Sequence, residues 1–308
     1  MARSYTLEMR RLSDTFEWTK TADIRSLRQA VRTAGLSSLL AIGSGGSLTA
    51  AHALADMHRR LTSHIAGVAT PLEAVAEPLE AGIATWLVSA GGENVDIVTA
   101  AKALIAREPR QLAALCGRSD SLLADLCRGH AFIDLLIYQP PAGKDGFLAT
   151  NSLLGFIALL TRAYAVEFNS EVGWKNVIER LDPLLMENSE AVLEWEQTTT
   201  PLWTRPTTLV LHGPSTRIGA VDLESKFTEA ALGNIQLADY RNFAHGRHHW
   251  LAKRGKSSAV LAFISDDDRA LSERTLELIP SERIVRSASN SSGVSCSSLC
   301  NASSAELG

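Results

Sequence analysis

Short apolar runs alternate along the chain with small-residue turns and helix-forming segments. Residues 39–42 form one such run, which meets the turn 43–47 and then a helix-forming stretch. Residues 84–89 form another, followed by the turn 90–94 and by the helix-forming residues 95–104. Strands that alternate with helices indicate a parallel, doubly wound sheet. The pattern therefore predicts an α/β fold with helices on both faces of each sheet.

The same periodicity places the remaining elements and divides the chain. Further strands are predicted at residues 65–69, 111–116, 131–137 and 207–212. Helices are predicted at 7–34 (one or two amphipathic helices), 71–79, 122–127, 147–165, 172–196 and 218–232. The layout of the first half repeats in the second, so we predict two α/β domains. The predicted divisions are an N-terminal helical segment (1–35), a first domain (36–170), a helical connector (171–200), a second domain (201–286) and a Ser-rich tail (287–308).

The turn at residues 43–47 is a candidate anion site. Glycine allows the backbone a positive φ and a close approach to a ligand, while Ser44 and Ser47 add hydroxyl donors at a predicted helix N-terminus. No lysine follows at the spacing of a nucleotide-binding phosphate loop. A single phosphate, as on a sugar, therefore fits this turn better than a nucleotide, and a purely structural turn is the alternative.

Composition narrows the classes of partner. The 308 residues are 45% apolar and 21% charged, with a net charge of −4, which is typical of a soluble globular protein. Basic clusters with interleaved aromatic residues are absent, which argues against nucleic acid as a partner. The N-terminus has no apolar run of signal-peptide length, and the uncharged run 147–161 is too short to span a bilayer. We therefore expect a cytoplasmic protein without a membrane partner.

Cysteine and histidine usage gives no indication of a metal or cofactor. The four cysteines show no C-x-x-C spacing, and we interpret them as structural thiols: Cys116, Cys127, Cys296 and Cys300. His245, His248 and His249 form an H-x-x-H-H pattern, but no carboxylate or cysteine accompanies them at a recognised zinc spacing. The prediction is therefore no metal and no cofactor.

Two turns resemble the phosphate loops of the sugar isomerase (SIS) domain family. Residues 43–47 resemble its first loop, and residues 89–96 resemble its S-x-S-G-x-T-x-D second loop, with Gly91 in place of a serine and Asn94 in place of the threonine. Two hydroxyls of the family pattern are therefore missing or altered. The resemblance also makes Thr150 and Asn151, at the start of a predicted helix, secondary candidates, with an ordinary helix start as the alternative. The implied phosphate- and substrate-binding residues are Ser44, Gly45, Gly46, Ser47, Ser89, Ala90, Gly91, Asn94, Thr150 and Arg247.

The second half carries the candidates for catalysis. Residues 221–229 resemble the family's Lys/Glu-rich helix, and residues 244–247 resemble its K-H-G-P turn with Arg247 in place of proline. The spacing from Glu229 to His245 equals that between the family's catalytic glutamate and its ring-opening histidine. The resemblance thus implies a double-SIS arrangement, as in the isomerase domain of glucosamine-6-phosphate synthase, and a homodimer. Without it, Glu229 would be interpreted as a surface carboxylate and Arg247 as a solvent-facing cation.

Two functions follow from the resemblance. The first is an aldose–ketose isomerase, or a related sugar-phosphate deglycase or deaminase, with Glu229 as base and His245 in ring opening. The second is a non-catalytic module that senses a sugar phosphate, favoured by the altered second loop. Residues 287–308 have few large apolar side chains where the family has a closing helix, so we expect a disordered tail, an incomplete second domain and a truncated or frame-shifted C-terminus.

Overall fold

A computed structural model describes residues 5–78, 80, 82–186, 190–199, 202, 204–280 and 284–286. The Ser-rich tail, with Cys296 and Cys300, lies outside the described residues. The chain divides into two compact units, one up to Asn176 and one from Val177 onward. The division falls within the predicted connector, and the predicted domain limits stay predictions.

The first unit begins with helices and continues as alternating strands and helices. In chain order these are α1 (Tyr5–Met9), α2 (Leu12–Thr21), α3 (Arg25–Ala34), β1 (Leu39–Ile42), α4 (Gly46–Thr62), β2 (Ala66–Ala69), α5 (Pro71–Ala76), β3 (Ala84–Ser89), α6 (Val95–Arg107), β4 (Gln111–Cys116), α7 (Leu122–Arg128), β5 (Ile133–Ile137) and α8 (Asn151–Glu167). Helix α9 (Glu171–Leu185) contains the division between the units.

The first sheet is parallel, with the strand order β2-β1-β3-β4-β5. The order reverses direction between β1 and β3, which makes the carboxyl ends of these two strands the switch point of the sheet. In open α/β sheets, ligands bind in the crevice at this point. The turns 43–47 and 90–94 both begin there.

Both faces of the first sheet are covered by helices. On one face, Leu87 and Leu112 of the sheet pack with Ile97 and Leu104 of α6. On the other, the Gln111 side chain donates a hydrogen bond to the Ala30 carbonyl oxygen of α3, at 3.0 Å. All six residues of β3 and of β4 are buried. This burial explains their near-continuous apolar composition, because a covered parallel strand has no polar face.

The second unit repeats the alternation with a smaller sheet. In chain order its elements are α10 (Glu190–Thr199), β6 (Thr207–His212), α11 (Arg217–Glu229), β7 (Asn234–Asp239), α12 (Tyr240–Asn242), a π-helical turn (Phe243–Arg247), α13 (His248–Arg254), β8 (Ser258–Ala262), α14 (Arg269–Glu277) and β9 (Ile284–Arg286). The strands are parallel, in the order β7-β6-β8-β9. The predicted fold class, α/β with parallel sheets flanked by helices, is confirmed.

Several element limits differ from the prediction. Residues 7–34 form parts of three helices rather than one or two, and the Asp23 carboxylate accepts the backbone N–H of Arg25, the first residue of α3. The helix predicted from residue 147 begins at Asn151, since the Asp145 carboxylate accepts the first N–H groups of α8. No prediction covered the elements after residue 234 apart from the 244–247 turn. Within the described residues, every helix is too short or too polar to cross a bilayer.

Candidate functional site

A cavity of about 380 Å³ lies in the first unit, at the carboxyl ends of the sheet strands. This volume is within the usual range of small-molecule pockets. The switch-point turns contribute five lining residues, which the sequence predicted as binding residues: Ser44, Gly46, Ser47, Ala90 and Gly91. The rest of the lining comes from the turns after β4 and β5 and from the start of α8: Gly117, Arg118, Asp120, Gln139, Pro140, Gly143, Lys144, Asp145, Gly146, Leu148, Ala149 and Ser152.

The first turn leaves backbone donors free for a ligand. Gly45 has φ +53°, and Gly46 is the first residue of the 17-residue helix α4. Within the described residues, the N–H groups of Gly45 and Gly46 donate to no acceptor. A helix N-terminus with free N–H groups favours an anion through both hydrogen bonding and the helix dipole.

Close packing joins the first turn to the other walls of the cavity. A Cβ atom on Gly46 would lie 2.1 Å from the Ala149 Cβ, so only glycine fits there. The Ser47 hydroxyl oxygen accepts the N–H of Ala90 at 3.2 Å, which ties the first turn to the second and leaves the hydroxyl hydrogen to donate elsewhere. The two turns therefore form one continuous surface.

The side chains of the second turn mainly hold the turn together. Ser89 is buried, and its hydroxyl oxygen accepts the N–H of Gly92 at 3.0 Å. The Asn94 side chain is exposed and accepts the N–H of Asp96 at 2.7 Å, which caps helix α6. Neither residue lines the cavity. This turn faces the cavity through the backbone and small side chains of Ala90 and Gly91.

Thr150 and Asn151 are buried behind the cavity wall. The Thr150 hydroxyl lies 3.1 Å from a carboxylate oxygen of Glu8 and 3.1 Å from one of Asp145, so its single hydrogen is shared between them. The Asn151 amide accepts from the Thr15 hydroxyl at 2.6 Å and donates to the Glu8 carbonyl oxygen at 3.0 Å. Both side chains are thus engaged within the protein.

Glu229, His245 and Arg247 lie in the second unit and do not line this cavity. Glu229 ends α11 with an exposed carboxylate that accepts the Ser225 hydroxyl at 2.7 Å. His245 is exposed at a kink with non-helical φ and ψ, next to Gly246 at φ +114°. The Arg247 guanidinium donates to the Leu237 carbonyl oxygen at 2.9 Å. These residues are solvent-accessible but belong to a different part of the chain.

The charged residues of the cavity were not predicted from the sequence. Lys144 is exposed and has no hydrogen-bond or ion-pair partner among the described residues. Arg118 pairs with Asp120 at 3.0 Å, and its side-chain hydrogen bond lowers the pKa of the Asp120 carboxyl. Their position was the available signal. Arg118 follows strand β4 at the carboxyl edge of the sheet, where ligands bind, and Lys144 directly follows the Pro-Pro-Ala-Gly sequence before α8. Lys144 is left as the unpaired cation of the cavity.

The described residues hold no group of three histidine, cysteine, aspartate or glutamate side chains placed to bind a metal. The rings of His248 and His249 stack at 4.5 Å, and the His248 Nδ1 lies 3.3 Å from the Phe243 carbonyl oxygen. Cys116 and Cys127 are buried free thiols, and burial raises the pKa of the Cys127 thiol to about 11. A raised pKa keeps this thiol protonated at neutral pH and therefore weakly nucleophilic.

No family model and no curated protein matches the chain by sequence. Solved structures do match it by fold. Tagatose-6-phosphate ketose/aldose isomerase from Escherichia coli aligns with a TM-score of 0.71 at 17% identity, over 93% of this chain and 82% of that one. Glucosamine-6-phosphate deaminase from Thermotoga maritima aligns with a TM-score of 0.65 at 17% identity, over 89% and 82%.

The C-terminal domain of glucosamine-fructose-6-phosphate aminotransferase from Francisella tularensis is also similar, with a TM-score of 0.67 at 15% identity over 89% of this chain and 80% of that one. At such identities the similarity shows the fold alone. The prediction of an SIS-type fold is confirmed to that extent.

Proposed function

We propose that this protein binds a phosphorylated sugar or sugar derivative in the cavity of the first unit. The observation that carries the proposal is the free N-terminus of α4, with the unbonded N–H groups of Gly45 and Gly46, at the switch point of the sheet. Solved structures of this fold include enzymes named for phosphosugars. Of the binding residues predicted from the sequence, we propose Ser44, Gly45, Gly46, Ser47, Ala90 and Gly91 as the ligand contacts in this cavity. Ser89, Asn94 and Thr150 are engaged in hydrogen bonds within the protein and Arg247 lies in the second unit, so their contacts with the ligand stay predictions.

Lys144 supplies the charge that the altered second turn does not. Gly91 has no hydroxyl, and the Asn94 side chain caps α6, so neither residue donates a hydroxyl to the cavity. An unpaired ammonium group at the cavity wall is attracted to a phosphate dianion and donates charge-assisted hydrogen bonds. We therefore propose Lys144 as the cationic partner of the phosphate.

For activity, we propose an aldose–ketose isomerase or a related deglycase or deaminase, with Glu229 as base and His245 in ring opening. Neither residue lines the cavity of the first unit, so this activity requires the proposed homodimer to bring them to the bound sugar. In the isomerase reaction, the histidine moves a proton between the ring oxygen and the anomeric hydroxyl. The carboxylate then takes the C2 proton, the C–H electrons form the C1–C2 double bond, and the π electrons of the C1 carbonyl move to O1, which gives an enediolate. A proton passes from O2 to O1. The carboxylate returns its proton to C1, using the electrons of the C1–C2 double bond, as the O2 electrons form the C2 carbonyl. The relatives named as isomerase and deaminase support this class.

The alternative is a sensor that binds the sugar phosphate without turnover. It is favoured by the cavity lining, which contains no glutamate and no histidine among the described residues. A double-SIS arrangement, a homodimer and a cytoplasmic location remain part of the proposal.

Calorimetric titration tests the binding proposal. We expect glucosamine 6-phosphate, fructose 6-phosphate or tagatose 6-phosphate to bind, and unphosphorylated glucosamine not to bind. Lys144→Met should weaken binding about tenfold, the loss expected for one charge-assisted contact to phosphate. Lys102→Met, which removes an exposed cation from α6, is the matched control and should bind like the wild type. Equal affinity for glucosamine and its phosphate would refute the phosphate site.

Deuterium exchange separates the enzyme from the sensor. In D₂O, an isomerase introduces solvent deuterium at C1 or C2 of its substrate, which NMR detects. We expect incorporation with the wild type and none with Glu229→Gln, at unchanged phosphosugar affinity. Binding without any incorporation by the wild type would favour the sensor.

A further inference from the structure

The loop between β5 and α8 provides much of the cavity wall, and the N-terminal helices hold it in place. Eight of its residues line the cavity: Gln139, Pro140, Gly143, Lys144, Asp145, Gly146, Leu148 and Ala149. We call residues 139–149 the wall loop. Among the described residues, contacts from α1 and from the residues directly after it reach both ends of this loop. The proposed function gives these contacts no role.

Arg11 fastens the first part of the wall loop. Its guanidinium donates hydrogen bonds to the carbonyl oxygens of Pro141, at 2.9 Å, and of Ala142, at 3.1 Å. Two donors from one planar group fix the direction of both carbonyls. The turn that leads to Lys144 is therefore oriented by a residue 130 positions earlier in the chain.

Glu8 fastens the second part. Its side chain lies on the short helix α1 and is almost fully buried, with the whole residue only 2% exposed. One carboxylate oxygen accepts the backbone N–H of Gly146, and the other accepts the Thr150 hydroxyl at 3.1 Å. Glutamate is almost never buried unless it is paired, and here both donors come from the wall loop and the start of α8.

The Glu8 contacts continue directly to the residues beside Lys144. The Thr150 hydroxyl that Glu8 accepts is shared with Asp145, whose carboxylate also accepts the N–H groups of Asn151 and Ser152, each at 3.0 Å. Asp145 is followed directly by Gly146, whose backbone N–H donates to the Glu8 carboxylate. Glu8 thus constrains both residues that follow Lys144, while the Lys144 side chain itself has no partner among the described residues.

We propose that Glu8 is a positioning residue of the phosphosugar site, which fixes the wall loop so that the Lys144 ammonium faces the first turn before a ligand arrives. The inference rests on the proposed function and adds to it a residue that does not touch the ligand. Its physical basis is preorganisation: a cation already held in place loses little conformational entropy when it binds phosphate. Without Glu8, ordering the wall loop is added to the cost of binding.

The test combines a loop-specific and a ligand-specific measurement on the full chain. The variants are Glu8→Ala and the isosteric Glu8→Gln, with Asp14→Ala as the matched control, because Asp14 is an exposed carboxylate of α2. Hydrogen exchange of residues 139–150 reports the order of the wall loop. Calorimetric titration with glucosamine 6-phosphate, fructose 6-phosphate and tagatose 6-phosphate reports binding.

We expect Glu8→Ala to speed exchange in the wall loop and to weaken phosphosugar binding about tenfold, as the loss of a preorganised contact predicts. Glu8→Gln keeps one acceptor oxygen and should show a smaller loss. Asp14→Ala should match the wild type in both measurements. A double-mutant cycle then asks whether Glu8 acts through Lys144. In the Lys144→Met background, Glu8→Ala should weaken binding less than about threefold, since the contact it positions is already absent.

The outcomes separate the inference from the function on which it rests. A Glu8→Ala chain that is folded and binds as tightly as the wild type overturns the positioning role, even if its wall loop exchanges faster. Equal losses in the presence and absence of Lys144 overturn the action through Lys144, because an indirect effect must be non-additive. A wild type that binds none of the three phosphosugars overturns the proposed function, and the inference with it. If Glu8→Ala does not fold, the same measurements on Glu8→Gln, alone and combined with Lys144→Met, test the positioning role.

Discussion

In each sheet, the first strand along the chain is followed by a small-residue turn and then a helix, but the two turns differ in what surrounds them. In the first unit, the turn after β1 leaves the N–H groups of Gly45 and Gly46 free and lines a cavity. In the second unit, the turn after β6 is filled by the protein's own side chains. An Asp268 carboxylate oxygen lies 1.3 Å from where a Cβ of Gly213 would be, so the carboxylate occupies the space beside that turn.

Hydroxyl groups form further hydrogen bonds at the turn after β6. The Ser215 hydroxyl donates to that of Ser265 at 2.9 Å, and the Thr216 hydroxyl oxygen accepts the Gly213 N–H at 3.0 Å. The helices behind the turns differ as well: α4 has nine buried residues and α11 has two. A strand, a small-residue turn and a helix therefore do not make an anion site by themselves. What matters is whether the protein's own groups already occupy the turn.

The largest expected effect comes from adding one methyl group to the first turn. In Gly46→Ala, the new Cβ would meet the Ala149 Cβ, so either the turn or the wall loop must move. We expect loss of detectable phosphosugar binding and destabilisation of about 1–3 kcal/mol, the usual cost of overpacking. Titration and urea unfolding measure the two effects.

The control for this substitution is Gly219→Ala in α11. A Cβ at Gly219 meets no atom within 4 Å, so the substitution should leave binding unchanged and stabilise the chain by about 0.5–1 kcal/mol through helix propensity. Wild-type affinity in Gly46→Ala would show that the first turn is not the binding surface.

A smaller effect on stability and on binding is expected when the turn after β6 is opened. Asp268→Ala removes a buried carboxylate whose Oδ2 has no partner among the described residues, and also the 3.1 Å bond from the Ser265 N–H to Oδ1. These changes oppose each other, so the unfolding free energy should shift by no more than about 1–2 kcal/mol. Phosphosugar affinity should stay within twofold of wild type, at one ligand per chain. A tenfold loss of affinity in the titration would mean that the turn after β6 takes part in binding.

The smallest effect concerns α4, the helix behind the open turn. The His58 ring is fully buried, with its nitrogens 2.9 Å from the Ser37 carbonyl oxygen and 3.0 Å from the Tyr164 hydroxyl. Burial lowers the pKa of the His58 imidazole, so below about pH 6.5 the unfolded chain binds a proton that the folded chain does not. Stability should therefore fall as pH decreases below about 6.5, by at most about 1.4 kcal/mol per pH unit.

Urea unfolding at pH 7.5 and pH 5.5 measures this dependence. His58→Gln should reduce the pH-dependent loss, whereas His130→Gln, at a partly exposed histidine of the first unit, should retain it. An identical pH dependence in His58→Gln and wild type would rule out His58 as the source.

The fold was largely predictable because parallel strands leave a clear pattern. Residues 84–89, 111–116 and 207–212 were predicted with the bounds that the structure has, since strands covered on both faces are continuously apolar. The start of α8 was predicted too early, because helical composition extends upstream of Asn151 and only the Asp145 cap sets the boundary. Strand β7 was missed because five of its six residues are exposed or half-buried and half of them are polar, so it lacks a continuous apolar run.

The sequence by itself determined the α/β alternation and the two turns at the switch point, because apolar periodicity and small residues are local properties. Only the tertiary structure brought Lys144 to the cavity, fastened the wall loop through Glu8 and Arg11, and placed Asp268 in the turn after β6. These contacts of Asp268, Arg11 and Glu8 join residues 55 to 138 positions apart, and no local pattern specifies which distant side chain fills a space. Whether a turn is open to a ligand is therefore decided by packing.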